Sequence, residues 1–106
     1  RRGAAARTLM AERGGDRRAV RVRVGGRVQG VGFRWFVLRA AETEGVAGWV
    51  RNRDDGDVEI VAEGPPGSLA AFLDAVRTGP AGARVARFEA REIEPDAAER
   101  RFRVIP

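Results

Sequence analysis

An α+β sandwich with element order βαββαβ plus a short terminal strand is predicted from three features of the 106-residue chain. Val20, Val22 and Val24 alternate with Arg21 and Arg23, the period of a half-buried strand. Phe33, Phe36, Val37 and Ala40 recur at i, i+3, i+4 and i+7, as do Leu69, Phe72, Leu73 and Val76, which marks two amphipathic helices. Asp54-Asp55-Gly56 lies between two apolar runs and reads as a hairpin turn. Two helices of one-sided polarity call for an antiparallel sheet with both of them on one face.

In chain order, residues 1–19 are Arg, Ala and Gly without an apolar period, and read as a disordered basic tail. Met10 begins an ordinary protein start, so residues 1–9 read as a vector remnant or upstream translation. The folded domain is expected over residues 20–106. Gly25-Gly26 closes the first strand, and residues 26–32 form a glycine-bearing loop into the first helix. Gly45 sits where a left-handed helix cap is needed. Val46–Arg53 and Val58–Glu63 read as the second and third strands, and Pro65-Pro66-Gly67 ends the third. Ser68 is placed to cap the second helix, which Gly79-Pro80 terminates. A fourth strand is expected within Arg84–Ile93 and a last one over Arg101–Ile105. This order is the split βαβ, or ferredoxin-like, arrangement.

The charge is uneven. The chain has 20 Arg, no Lys and 15 acidic residues, a net charge of +5. Residues 1–23 hold a net +6, whereas residues 24–106 hold a net −1. The basic character thus belongs to the tail, and the domain itself is nearly neutral. Cys, His and Tyr are absent. Their absence removes disulfides, thiolate and imidazole metal sites, and Ser-His or Cys-His pairs. It also fits a reducing, cytoplasmic setting. No apolar run approaches the ~20 residues that cross a bilayer, and no secretory leader is visible.

Uncharged polar side chains are scarce. The chain holds one Ser (Ser68), one Gln (Gln29) and one Asn (Asn52). Gln29 falls in the glycine loop Gly26–Arg34 and Asn52 at the end of the second strand. A strand-to-helix loop presents unpaired backbone N–H groups and the positive end of the helix dipole, a ready anion site. Gly30 and Gly32 permit left-handed backbone geometry, and Arg34 in the first helical turn adds a planar fork of donors. A cation at a helix N-terminus is otherwise disfavoured, which fits an anion completing the site. The plainer alternative is a chain-turning loop, a solvated Arg34 and an Asn52 bonded to its own turn. Trp35 and Trp49 are expected to be packing residues, with Phe33 anchoring the loop. Arg51 and Arg53 are expected to be exposed edge charges. Asp54, Asp55, Asp57 and Glu59 do not match a calcium loop and read as turn and solvated strand face.

GRVQGVGFR (Gly26–Arg34), GWVRN (Gly48–Asn52), Asp55-Gly56 with Val58-Glu59, and GPAGARV (Gly79–Val85) together resemble the acylphosphatase family in order and spacing. The resemblance covers residues 20–105. It implies a ferredoxin-like sandwich and a metal-independent, cofactor-free hydrolase that splits the carboxyl–phosphate bond of acyl phosphates into carboxylate and inorganic phosphate. It places the phosphate-binding arginine at Arg34, the water-positioning asparagine at Asn52, and the phosphate loop on Gln29, Gly30, Val31, Gly32 and Phe33. Gly25, where many relatives carry a polar residue, and Glu44 are departures that remove no catalytic group.

A monomer acting on a small acyl phosphate is the expectation, without nucleic-acid or membrane partners. The alternative is a non-catalytic domain binding phosphate or carbamoyl phosphate, like those at the N-terminus of a large hydrogenase-maturation carbamoyltransferase. The short chain, with no partner domain following, argues against it. RNA-recognition domains of related fold stack bases on aromatics of their first and third strands, and Val20–Val24 and Val58–Glu63 contain none.

Overall fold

The computed structural model describes residues 16–96 and 98–106. The order along the chain is β1 (Arg18–Arg27), α1 (Phe33–Glu44), β2 (Ala47–Asn52), β3 (Val58–Gly64), α2 (Pro66–Thr78), β4 (Arg84–Ile93) and β5 (Phe102–Val104). The strands form one sheet in the order β4-β1-β3-β2-β5. Four strands pair antiparallel, but β5 runs parallel to β2, so the sheet is mixed rather than wholly antiparallel. β4 runs opposite to β2 and so ends where β2 begins; a short crossing at that end of the sheet brings β5 in beside β2 and parallel to it.

Alternation places Val22 and Val24 of β1, Val50 of β2, and Val58, Ile60 and Ala62 of β3 in the core. Phe33, Val37 and Ala41 of α1, with Leu69, Phe72 and Val76 of α2, close over them. Phe102 of β5 completes this layer, its ring 5.7 Å from that of Phe72. The opposite face of the sheet carries Arg21, Arg23, Arg51 and Glu59.

Local signals explain most boundaries. Gly45 takes φ 72° and its N–H donates to Ala41 O, ending α1 as its position predicts. Ser68 does not cap α2. The helix starts at Pro66, the first i→i−4 bond runs from Leu69 N–H to Pro65 O (2.9 Å), and no side chain caps it. Proline at the first helical position has its φ already set and no N–H to satisfy, so the helix begins before the serine. β1 is also longer than the valine alternation indicates. It begins at Arg18, with Ala19 only 1% exposed, because Glu63 and Gly64 extend β3 alongside it. It continues past a register shift between Gly25 and Gly26 as far as Arg27. The tail expected over residues 1–19 therefore falls outside the described residues only for 1–15.

Gly48, the second residue of β2, takes φ 138°, and a Cβ there would collide with the Val61 carbonyl of β3. Its N–H donates to Arg101 O (3.0 Å), joining β2 to the segment entering β5. Strain of this type costs about 1–3 kcal/mol before the clash is counted. Gly48→Ala should lower the melting temperature by about 10 °C or more in a thermal unfolding scan.

Candidate active site

The site residues come from two places that the sheet order holds near each other. Val24 of β1 and Asn52 of β2 are both paired to Val58 of β3. The three residues form one cross-sheet row, which sets Val24 and Asn52 about 10 Å apart at the usual strand spacing. Directly opposed residues of antiparallel strands share a face, so Asn52 points to the helical side with buried Val24 and Val58. Beyond Val24 the chain runs through Gly25–Arg27 into the loop and α1.

In that loop Val28 is buried and Phe33 is 1% exposed, pinning both ends to the core. Phe33 packs against Phe36 with ring centroids 6.3 Å apart, the anchoring role its position suggests. Gly30 and Gly32 both lie in the left-handed region, at φ 76° and 77°. A Cβ at either would meet nothing within 4 Å, so backbone conformation rather than space requires glycine. Gly32 is the residue before α1, no side chain caps this helix, and its first turn contains no acid. The opening N–H groups and the dipole therefore have no side-chain anion. Arg34 is half-buried in that turn, and no ion pair among the described residues engages it.

Asn52 is half-buried, and its Oδ1 is buried with no hydrogen-bond donor among the described residues. It does not bond its own turn, which excludes the plainer reading of a turn-capping asparagine. The turn is held by other groups. Asp57 N–H donates to Asp55 Oδ1 (3.0 Å), and Gly56 N–H donates to Arg53 O (3.2 Å). Gln29 sends its side chain to the hairpin: Nε2 donates to Arg53 O (2.8 Å) and Asp57 O (2.9 Å). Its side-chain donors are thus committed to the hairpin, and only its backbone N–H remains for an anion.

Several expectations are corrected here. Asp57 and Glu59 are not solvated; each is 4% exposed. Asp57 accepts from Arg87 Nη2 (2.8 Å) and Arg23 Nη2 (2.8 Å), and these bonds hold its carboxyl below the usual range despite burial. Arg87 reaches it across Gly25, where any side chain would collide with the guanidinium. Burial pushes the Glu59 carboxyl up, but bonds from Arg21 and Arg51 outweigh that and leave it lowered. Arg51 and Arg53 are half-buried partners of this carboxylate rather than exposed edge charges. Trp35 is 66% exposed and is no packing residue. It stands two residues from Phe33, about 200° round the helix and off the apolar stripe. Trp49 is half-buried beside the Arg51 guanidinium, 5.9 Å from its ring.

The chain is similar to known proteins over most of its length. The acylphosphatase family model matches residues 20–104. The acylphosphatase of Bacillus subtilis (strain 168) is 46% identical over 85 residues, 80% of this chain and 93% of that protein. A crystal structure of a Bacillus subtilis acylphosphatase superposes with a TM-score of 0.81 at 44% identity, covering 84% of this chain and 99% of that one. The crystal structure of T. kodakarensis HypF aligns with a TM-score of 0.75 at 38% identity, over 84% of this chain and 12% of that one. No described helix is long and apolar enough to cross a membrane.

A lowered carboxyl stabilises the fold in full above the ordinary carboxylate range and loses that effect progressively below it, as pH falls through the lowered folded-state value. Glu59→Gln should therefore cost about 1–2 kcal/mol at pH 7. The gap from wild type should narrow steadily in melts recorded at pH values progressively below the ordinary carboxylate range. From its matched length and its likeness to these proteins, the chain belongs to the acylphosphatase family.

Proposed function

We propose that the chain hydrolyses acyl phosphates by seating the phosphoryl group on the backbone N–H groups of residues 29–34 and the Arg34 guanidinium, while Asn52 presents the attacking water. Gln29, Gly30, Val31, Gly32 and Phe33 contribute main chain, and Arg34 contributes the fork of charged donors. An uncapped helix start with no acid in its first turn supports the assignment, because the negative charge that its N–H groups and dipole favour is left for a bound phosphoryl group to supply.

Asn52 Oδ1 carries the second half. A buried acceptor without a donor costs about 1–3 kcal/mol, and a water hydrogen-bonded to it removes that penalty while being held for attack. The water oxygen bonds to phosphorus, the phosphorus–acyl oxygen bond breaks, and the carboxylate leaves with its electron pair. The water's proton passes to a phosphoryl oxygen, giving inorganic phosphate. An acyl phosphate has a good leaving group, so positioning and charge stabilisation suffice without a side-chain acid or base. That matches a chain with no His and no Cys. The positive charge that a metal ion would bring is here supplied by Arg34.

Benzoyl phosphate turnover, with inorganic phosphate as competitive inhibitor, tests the assignment. Arg34→Ala should lower kcat/KM by about 10³-fold or more and weaken phosphate inhibition. A wild-type rate in that variant refutes the site. Asn52→Ala should lower kcat by about 10²-fold while changing phosphate inhibition less than about 3-fold. Treatment with a chelator should leave the rate unchanged. A match to only 12% of the HypF chain keeps one rival in view, an accessory domain of a larger protein that binds phosphate without turnover. Phosphate binding with no hydrolysis of any acyl phosphate would establish that rival.

A further inference from the structure

We propose that the Gln29 side chain is a positioning residue for the reaction, fixing the phosphate loop relative to Asn52. This inference rests on the reading of Asn52 given above. The sheet order creates the need for such a link. Leaving β1, Gly26 and Arg27 pair with Val85 and Arg84 of β4, on the side away from β2. β3 separates β1 from β2, so no main-chain ladder joins the loop to the strand that carries Asn52. Gln29 supplies the connection through its amide.

The bonding is specific to that amide. Its two N–H groups are matched by two acceptors, Arg53 O at 2.8 Å and Asp57 O at 2.9 Å. Those two residues already close the hairpin, since Arg53 N–H donates to Asp57 O at 2.8 Å. Arg53 directly follows Asn52: the Asn52–Arg53 peptide is held through Arg53 N–H on Asp57 O, and Gln29 grips that same oxygen and the carbonyl at the far side of Arg53. On the loop side, Gln29 stands between buried Val28 and left-handed Gly30, which leaves its main chain little freedom. A shift of about 1 Å between phosphoryl group and water is enough to cost roughly 10²-fold in rate. Gln29→Met keeps the length of the side chain and removes both donors.

The experiment is a double-mutant cycle on benzoyl phosphate hydrolysis, with kcat, KM and phosphate inhibition measured for wild type, Gln29→Met, Asn52→Ala and the double variant. Gln29→Met should lower kcat by about 10- to 100-fold and change phosphate inhibition less than about 3-fold, a split that general loosening would not give. If Gln29 acts through Asn52, the double variant should turn over about as fast as Asn52→Ala alone. A wild-type kcat in Gln29→Met, or a double variant slowed by the product of the single effects, overturns the inference. Loss of rate in Asn52→Ala with such independent effects leaves the water assignment standing and removes only the role of Gln29. A wild-type rate in Asn52→Ala overturns both. If Gln29→Met melts below the assay temperature, Gln29→Asn takes its place in the cycle with the same outcomes, because it keeps the amide but falls one methylene short.

Discussion

The placement of β3 between β1 and β2 is the constraint on which the candidate site depends. It puts the strand that leads into the loop and the strand that ends in Asn52 on the same two flanks of one residue, Val58. Each flank contributes half of the chemistry: donors from the loop and α1, an acceptor from β2. The same arrangement denies the two halves a shared main-chain ladder. Their relative position then rests on side chains, namely the core packing of Val28 and Phe33 and the two hydrogen bonds of Gln29.

A second consequence concerns charge. One face of the sheet is covered by helices and the other is not, yet Asp57, Glu59 and Glu63 on or near the open side are buried. Arginines cover them: Arg17 on Glu63, Arg21 and Arg51 on Glu59, Arg23 and Arg87 on Asp57. Arginine suits this role because its planar fork bonds a carboxylate while its stem shields the strand beneath. These arginines therefore answer the domain's own carboxylates. Arg34 differs in having no such carboxylate in its turn.

How much of this was legible in the sequence depended on whether the signal was local. The valine alternation, the two helical stripes and Gly45 each follow from contacts within a few residues, and they gave the elements with their order. Gln29 and Asn52 stood out because uncharged polar residues are so few, whereas Gly30, Gly32 and Arg34 stood out by their place at a helix start. What depended on distant partners was not legible. Glu59 alternates correctly for an open face, but only the fold shows Arg21 and Arg51 closing over it. Gly25 looked like a missing polar residue, and only the structure shows Arg87 occupying that space. Ser68 and Trp35 were different failures. A proline pair that starts a helix early, and a residue 200° off the apolar stripe, were both readable by rules already in use.

The proposed machinery contains no group that titrates near neutrality. Backbone amides do not ionise, an amide side chain does not, and a guanidinium is a permanent cation in proteins. Limits on the working pH must then come from elsewhere. On the alkaline side neither the scaffold carboxylates nor the site changes charge. On the acid side Asp57 and Glu59 hold their charge below the ordinary carboxylate range, because arginines bond them. These carboxylates also border the site, since Asp57 O accepts the Gln29 amide and Glu59 lies next to Val58 in the row that contains Asn52. Loss of their charge would loosen the hairpin before it altered any reacting group. The acid limit of catalysis is thereby tied to the acid stability of the hairpin, so a site without titrating groups takes its pH dependence from its scaffold and from its substrate.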